Sequence, residues 1–230
     1  MKFGGWHKSS LIDFPGKICA VLFTEGCTFR CPFCHNPGLV LPKHFNQTPI
    51  PEEKVFSFLE ARKGKIEGVT ITGGEPTLQA DLKDFVKKIK LLGFAVKLDT
   101  NGTHPGVVEE LLKEDLLDYV AMDIKASFSN YNKLAGVIVD QPSIEKTIRL
   151  LLDNSKEYEF RTTIIKELHD AQEVAAMAKT IQGAKRYILQ KFRPEVLLDH
   201  SFQAYSPCTD DEMAELCRTA LPFVQKCTWR

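Results

Sequence analysis

The chain has 230 residues, 43% of them hydrophobic, and its 30 lysines and arginines balance its 30 aspartates and glutamates. That length and apolar content suffice for a sizeable α/β core, while zero net charge gives no electrostatic argument for nucleic acid or an anionic membrane as partner. Residues 1–7 lack the basic stretch and apolar run of a secretion signal, the apolar run 18–23 is too short to span a bilayer, and seven cysteines with only three clustered argue against a secreted disulfide framework. A reducing cytoplasm is the expected setting.

In chain order the segments alternate between strand and helix patterns. Residues 17–24 are β-branched and apolar, and a proline-rich connection over 36–51 leads to a helix over 52–61 with Val55, Phe58 and Leu59 on one face. Residues 68–72 read as a buried strand. Asp81 stands where a cap belongs, ahead of Leu82, Phe85, Val86 and Ile89 at helical spacing, and 95–100 is the next strand. Helices over 105–113, 143–154 and 171–181 then alternate with strands over 119–124, 158–165 and 186–192. A helix over 210–221 and a short closing strand over 225–229 form the tail.

Six strands joined by helical crossovers predict a parallel sheet with helices outside it, either an open doubly wound sheet or a barrel. No repeat or long linker divides the chain. One domain over 1–230 is expected, with a core of about 15–193, an N-terminal extension and the helix–strand tail.

The most informative motif is Cys27, Cys31 and Cys34, with three residues between the first pair and two between the second. Structural zinc sites and ordinary ferredoxin clusters take four protein ligands, so three thiolates on one loop leave a coordination position open for a substrate or cofactor. In parallel α/β folds ligands sit beyond the C-terminal ends of strands. The cysteine loop follows the first expected strand, Gly73-Gly74-Glu75-Pro76 the second, Asp99-Thr100-Asn101-Gly102 the third and Asp123-Ile124-Lys125 the fourth, so all four belong to one rim.

These residues resemble the radical S-adenosylmethionine (SAM) superfamily, through the cysteine triple with Phe33 before its last member and the Gly73-Gly74-Glu75-Pro76 turn after the next strand. The stretch from Lys8 to Lys17 and Cys34-His35-Asn36-Pro37 narrow the resemblance to glycyl-radical-enzyme activases, in particular those serving anaerobic ribonucleoside-triphosphate reductase. The resemblance implies a partial (β/α)6 TIM-like barrel of mostly parallel strands. It also implies one 4Fe-4S cluster held by Cys27, Cys31 and Cys34, with its fourth iron chelating the methionine moiety of SAM. The chemistry is then carried by cluster and cofactor rather than by a catalytic side chain. Reductive cleavage gives a 5′-deoxyadenosyl radical that abstracts hydrogen from a glycine of the partner, and a flavodoxin- or ferredoxin-type protein supplies the electron.

By the same resemblance, Phe33, Cys34 and His35 line the adenine. Gly73 and Gly74 let backbone approach the methionine amino group, so bulk at Gly74 should block the cofactor while iron is retained, and Glu75 shapes that turn. Asp99, Thr100 and Asp123 match positions near the methionine carboxylate, where a relative binds a monovalent cation, and Lys125 neutralises a carboxylate. Asn101, Arg161 and Gln190 are candidates for ribose or carboxylate contacts. Cys19, Cys208, Cys217 and Cys227 are read as structural, and the absence of cysteine over 36–72 implies a single cluster.

Three other readings compete. A radical enzyme acting on a small molecule, of the deazapurine-synthase kind, shares the motifs. An electron-transfer iron–sulfur protein is disfavoured because three ligands leave an iron exposed, and a zinc-stabilised module because a fourth ligand is missing unless His35 supplies it.

Overall fold

The computed structural model describes residues 1–45 and 48–230; the connection expected over 36–51 includes Asn46 and Gln47, which lie outside them. Internal contacts divide the chain into two compact units, one of Met1–Thr28, Gly38–Thr100 and His104–Val120, the other of Phe29–Pro37, Asn101–Thr103 and Ala121–Arg230.

In the first unit β1 (Phe3–Ser10) pairs antiparallel with β2 (Cys19–Thr24), and β2, β3 (Gly68–Gly73) and β4 (Ala95–Thr100) run parallel. Cys19 stands opposite Gly68 and Thr24 opposite Gly73, so the cysteine loop and the glycine turn leave adjacent strands at the same level. The β1 strand was not among the six expected. Gly4-Gly5 and Trp6-His7-Lys8 show no apolar alternation, because two glycines present no side chain and His7 and Lys8 are both exposed; Trp6 meets Phe58 of α1 (Glu52–Ala61) with ring centroids 5.0 Å apart.

Helix α2 (Leu82–Leu91) buries Leu82, Phe85, Val86 and Ile89 as the spacing predicts. Asp81 precedes it without making a capping hydrogen bond; its carboxylate pairs with the Met1 ammonium instead. Helix α3 (Pro105–Lys113) follows β4 and starts on a proline, whose missing N–H costs nothing in the first turn.

Strand β5 (Tyr119–Asp123) has residues in both units. In the second unit, β6 (Glu157–Ile164), β7 (Tyr187–Lys191) and β8 (Cys227–Trp229) are parallel neighbours. The unit also holds α4 (Tyr131–Ala135), α5 (Gln141–Leu152), α6 (Ala171–Thr180) and α7 (Asp210–Ala220). Helix α7 opens with a reciprocal capping box between Thr209 and Glu212. The five-residue α4 is too short to announce itself by periodicity.

The strands follow one another in the sheet in chain order, β1 to β8. A doubly wound sheet reverses its order at a switch point and this one does not, which leaves the open, barrel-like member of the two expected α/β classes, with β1 added to the six core strands and the closing strand expected. Among the described residues no helix is long and apolar enough to cross a membrane.

Candidate functional site

In the first unit, the turn after β3 is locked to the start of the cysteine loop by backbone. The Gly74 amide donates to the Thr24 carbonyl (2.9 Å), the Glu75 amide to the Gly26 carbonyl (2.7 Å), and the Gly26 amide to the Leu39 carbonyl (2.8 Å). Gly73 has φ +109°, and a Cβ there would lie 2.5 Å from the Thr24 nitrogen; a Cβ on Gly74 would lie 2.0 Å from the Gly26 carbonyl oxygen. Both glycines are thus required by the fold itself, one residue away from Cys27. Bulk at Gly74 therefore strikes the cysteine loop as well as any ligand, contrary to the expectation that iron binding would be spared.

Glu75 is fully buried and its Oε1 accepts from the Thr77 amide (3.1 Å), the Thr77 hydroxyl (2.5 Å) and the Thr100 hydroxyl (2.8 Å). This carboxylate ties the end of β4 to the glycine turn, in keeping with a shaping role. The Thr77 hydroxyl spends its proton on Glu75, so His104 Nδ1, 3.0 Å away, is the donor in that contact. Asp99, one residue before Thr100 on β4, forms an ion pair with Lys97 on the same face of the strand. Lys97 is 1% exposed and its ammonium also lies 6.0 Å from the Tyr119 ring centroid.

In the second unit, Cys31 and Cys34 bracket a turn in which the Cys34 amide donates to the Cys31 carbonyl (3.0 Å), and the Asn36 amide donates to the Cys34 sulfur (3.4 Å). Burial pushes the Cys34 thiol up, opposed by the Asn36 amide and the Lys125 ammonium. Distant segments brace the turn. The Arg30 amide donates to the Ala135 carbonyl at the end of α4, and Gly136, with φ +69°, approaches so closely that a Cβ would lie 2.2 Å from the Arg30 carbonyl oxygen. The Asp199 amide donates to the Pro32 carbonyl, buried Phe33 stacks on Phe202, and the exposed His35 stacks on Phe192 with Nε2 3.1 Å from the Arg193 carbonyl.

The same unit gathers Asp123, Lys125 and Arg161. Asp123 Oδ1 accepts from Arg161 Nε (2.8 Å) and Oδ2 from Lys125 Nζ (3.0 Å). Burial alone would raise the Asp123 carboxyl, but the two cations outweigh it and hold it well below the usual carboxylate range; Lys125 is raised because Asp123 overcomes its own desolvation. His169, which the sequence reading missed, holds Lys125 from behind: Nδ1 accepts from the Ile165 amide (3.0 Å), which leaves the proton on Nε2 for the Lys125 carbonyl (3.3 Å). Asn101 is used locally, its Oδ1 accepting from the amide and hydroxyl of Thr103, and Gln190 is half-buried on β7 opposite Thr163.

A lowered carboxyl stabilises the fold above its unfolded value of about 4, and that contribution is lost only as pH falls through the folded value; a raised lysine contributes below about 10.4 and loses it as pH rises further. The triad therefore works undiminished between those limits. Replacing Asp123 with Asn should leave two cations without their carboxylate and cost about 2–3 kcal/mol, less than the 3–5 of a fully buried pair because Asp123 is 28% exposed. Denaturant unfolding at pH 7 reads this loss. A change under 0.5 kcal/mol would mean that the triad is not structural.

None of the seven cysteines forms a disulfide, and among the described residues no three His, Cys, Asp or Glu side chains are grouped so as to hold a metal ion. Cys27 belongs to the first unit, Cys31 and Cys34 to the second. The donor set suits an iron–sulfur cluster: three thiols on one loop, one already receiving an amide hydrogen bond of the kind that tunes cluster sulfurs. A monovalent cation fits less well, since Asp99 already carries Lys97 and Asp123 carries Lys125 and Arg161.

Residues 21–181 match the radical SAM superfamily. A protein of Methanocaldococcus jannaschii that carries the provisional name of a glycyl-radical enzyme activating enzyme is 35% identical over 220 residues, 94% of this chain and 90% of its own. The pyruvate formate-lyase-activating enzyme of Clostridium pasteurianum is 30% identical over 196 residues, 77% of this chain and 81% of that one. Among solved structures, a domain of the pyruvate-formate lyase-activating enzyme of Bacteroides vulgatus superposes with a TM-score of 0.58 at 18% identity, over 71% of this chain and 99% of that one. Streptococcus suis SuiB bound to S-adenosylmethionine superposes with a TM-score of 0.66 at 16% identity, over 91% of this chain and 51% of its own. The two structural likenesses establish the fold; the near full-length sequence matches go further, and by them the chain belongs to the radical SAM superfamily and, within it, to the glycyl-radical enzyme activating enzymes.

Proposed function

We propose that this enzyme installs a glycyl radical on anaerobic ribonucleoside-triphosphate reductase, in the cytoplasm, with a flavodoxin- or ferredoxin-type protein as reductant. The observation that carries the activase reading is the 35% identity to a glycyl-radical enzyme activating enzyme over 94% of the chain. When bound, a 4Fe-4S cluster supplies the electron that cleaves SAM to methionine and a 5′-deoxyadenosyl radical, which takes a hydrogen atom from the partner's glycine.

The chain's own residues bind and orient. Cys27, Cys31 and Cys34 would hold the cluster. Gly73 and Gly74 present backbone to the methionine amino group, and Glu75, spent on Thr77 and Thr100, keeps that turn in shape. Lys125 and Arg161, aligned by Asp123, offer positive charge to the methionine carboxylate. Phe33, Cys34 and His35 line the adenine, their loop pinned by Phe202 and Phe192. Asp99, neutralised by Lys97, and Thr100 stand near the methionine carboxylate, and Asn101 and Gln190 complete the reading as ribose or carboxylate contacts. The whole chain acts as one radical SAM domain.

The test is anaerobic reconstitution, then incubation with SAM, a reductant and either anaerobic ribonucleoside-triphosphate reductase or pyruvate formate-lyase, followed by electron paramagnetic resonance. A glycyl radical signal on the reductase is expected. A signal on the lyase alone would reassign the partner, and turnover on a free purine-like compound with no response to either protein would replace the activase reading with the small-molecule one.

A further inference from the structure

Lys97 is a lysine with almost no contact with water, 1% exposed in the middle of β4, and burial of an ammonium is tolerated only beside a counter-charge. The counter-charge is Asp99, two residues on and on the same face of the strand; its side chain is 11% exposed. Beside it on the same face stand Thr70, its register partner on β3, whose hydroxyl bonds the Asp13 carbonyl and the Cys19 sulfur, and the Tyr119 ring, which faces its ammonium.

The carboxylate that Lys97 neutralises is one beside which the family resemblance implies a monovalent cation. An alkali-metal ion takes its place beside a carboxylate by supplying one positive charge and accepting oxygen ligands. At Asp99 that charge is already built into the chain and covalently tethered, and at Asp123 two more are, from Arg161 and Lys125. A further cation set against these carboxylates meets like charge, undiluted by water on the Lys97 side.

We propose that Lys97 takes the place of a bound alkali-metal ion at Asp99, so that this protein binds SAM without dependence on sodium or potassium. The proposal rests on the reading of the chain as a SAM-binding enzyme. Lys97 is then a positioning residue: it touches Asp99, not the cofactor, and acts by keeping that carboxylate charge-balanced and oriented.

The test is titration of SAM into the cluster-loaded protein under anaerobic conditions, by calorimetry, at one ionic strength made up with choline, sodium or potassium chloride. The wild type should bind with the same affinity, within about twofold, in all three salts. In Lys97→Met, whose side chain fills a similar volume without charge, affinity in choline should fall about tenfold or more and recover in sodium or potassium as the ion replaces the lost positive charge at Asp99. Lys97→Arg, which keeps a charge, should stay salt-independent. Wild-type binding that strengthens tenfold on replacing choline with potassium would overturn the proposal, and so would a folded Lys97→Met variant with weakened binding that no alkali metal restores. Absence of binding in every salt would instead overturn the SAM reading, and the proposal with it; the wild-type salt series decides even if the methionine variant does not fold.

Discussion

Alanine at any one of Cys27, Cys31 or Cys34 will bring iron content after anaerobic reconstitution to background and remove the visible charge-transfer absorbance. A cubane held by three thiolates has one iron open, and losing another ligand opens a second. Alanine at Cys208, Cys217 or Cys227 is the control. Cys208 and Cys217 are buried, and the Cys217 and Cys227 thiols hydrogen-bond each other between α7 and β8, so these substitutions should change stability and leave the cluster spectrum as it was. Wild-type iron loading in all three loop variants, or iron loss in a control, would show that the ligands are other residues.

Gly74→Val is the second large effect, and it should not separate iron from cofactor. A Cβ at 2.0 Å from the Gly26 carbonyl and 3.2 Å from the Leu39 carbonyl meets backbone on two sides, and backbone cannot swing away as the end of a side chain can. Overpacking of this kind costs about 1–3 kcal/mol, and here it falls one residue from a cluster ligand. The expected result is a lower midpoint of thermal unfolding together with loss of both iron and SAM binding. A variant that loads iron like the wild type and loses only SAM affinity would show that the loop does not depend on its backing by Gly74.

Much of this was legible in the residues alone. The strand–helix beat located β2 to β7 and their crossovers to within a few residues, because parallel strands buried on both faces read as continuous apolar runs. The edge strand β1 escaped because Gly4 and Gly5 have no side chain to show an inward face and His7, Lys8 and Ser9 are exposed in succession, so no alternation is written there. At the site, the cysteine spacing and the glycine turn were visible as motifs, and the glycines are dictated by the backbone packed against them. Lys97 and His169 were not. Lys97 sits in an apolar strand where only the opposite charge at Asp99, two positions on, marks it as paired, and His169 acts on the Lys125 carbonyl from 44 residues away, a relation no local pattern encodes.

The bracing of the cysteine turn by Ala135, Gly136, Asp199, Phe192 and Phe202 has a bearing on how such a loop could be copied. A free peptide carrying the same three cysteines has the donors but none of these distant anchors, and ordering each backbone residue opposes binding by about 1–2 kcal/mol. The short motif is therefore portable as a ligand set and not as a shape. Grafting it with its open iron into another protein means transplanting the surfaces against which Arg30, Pro32 and Phe33 rest.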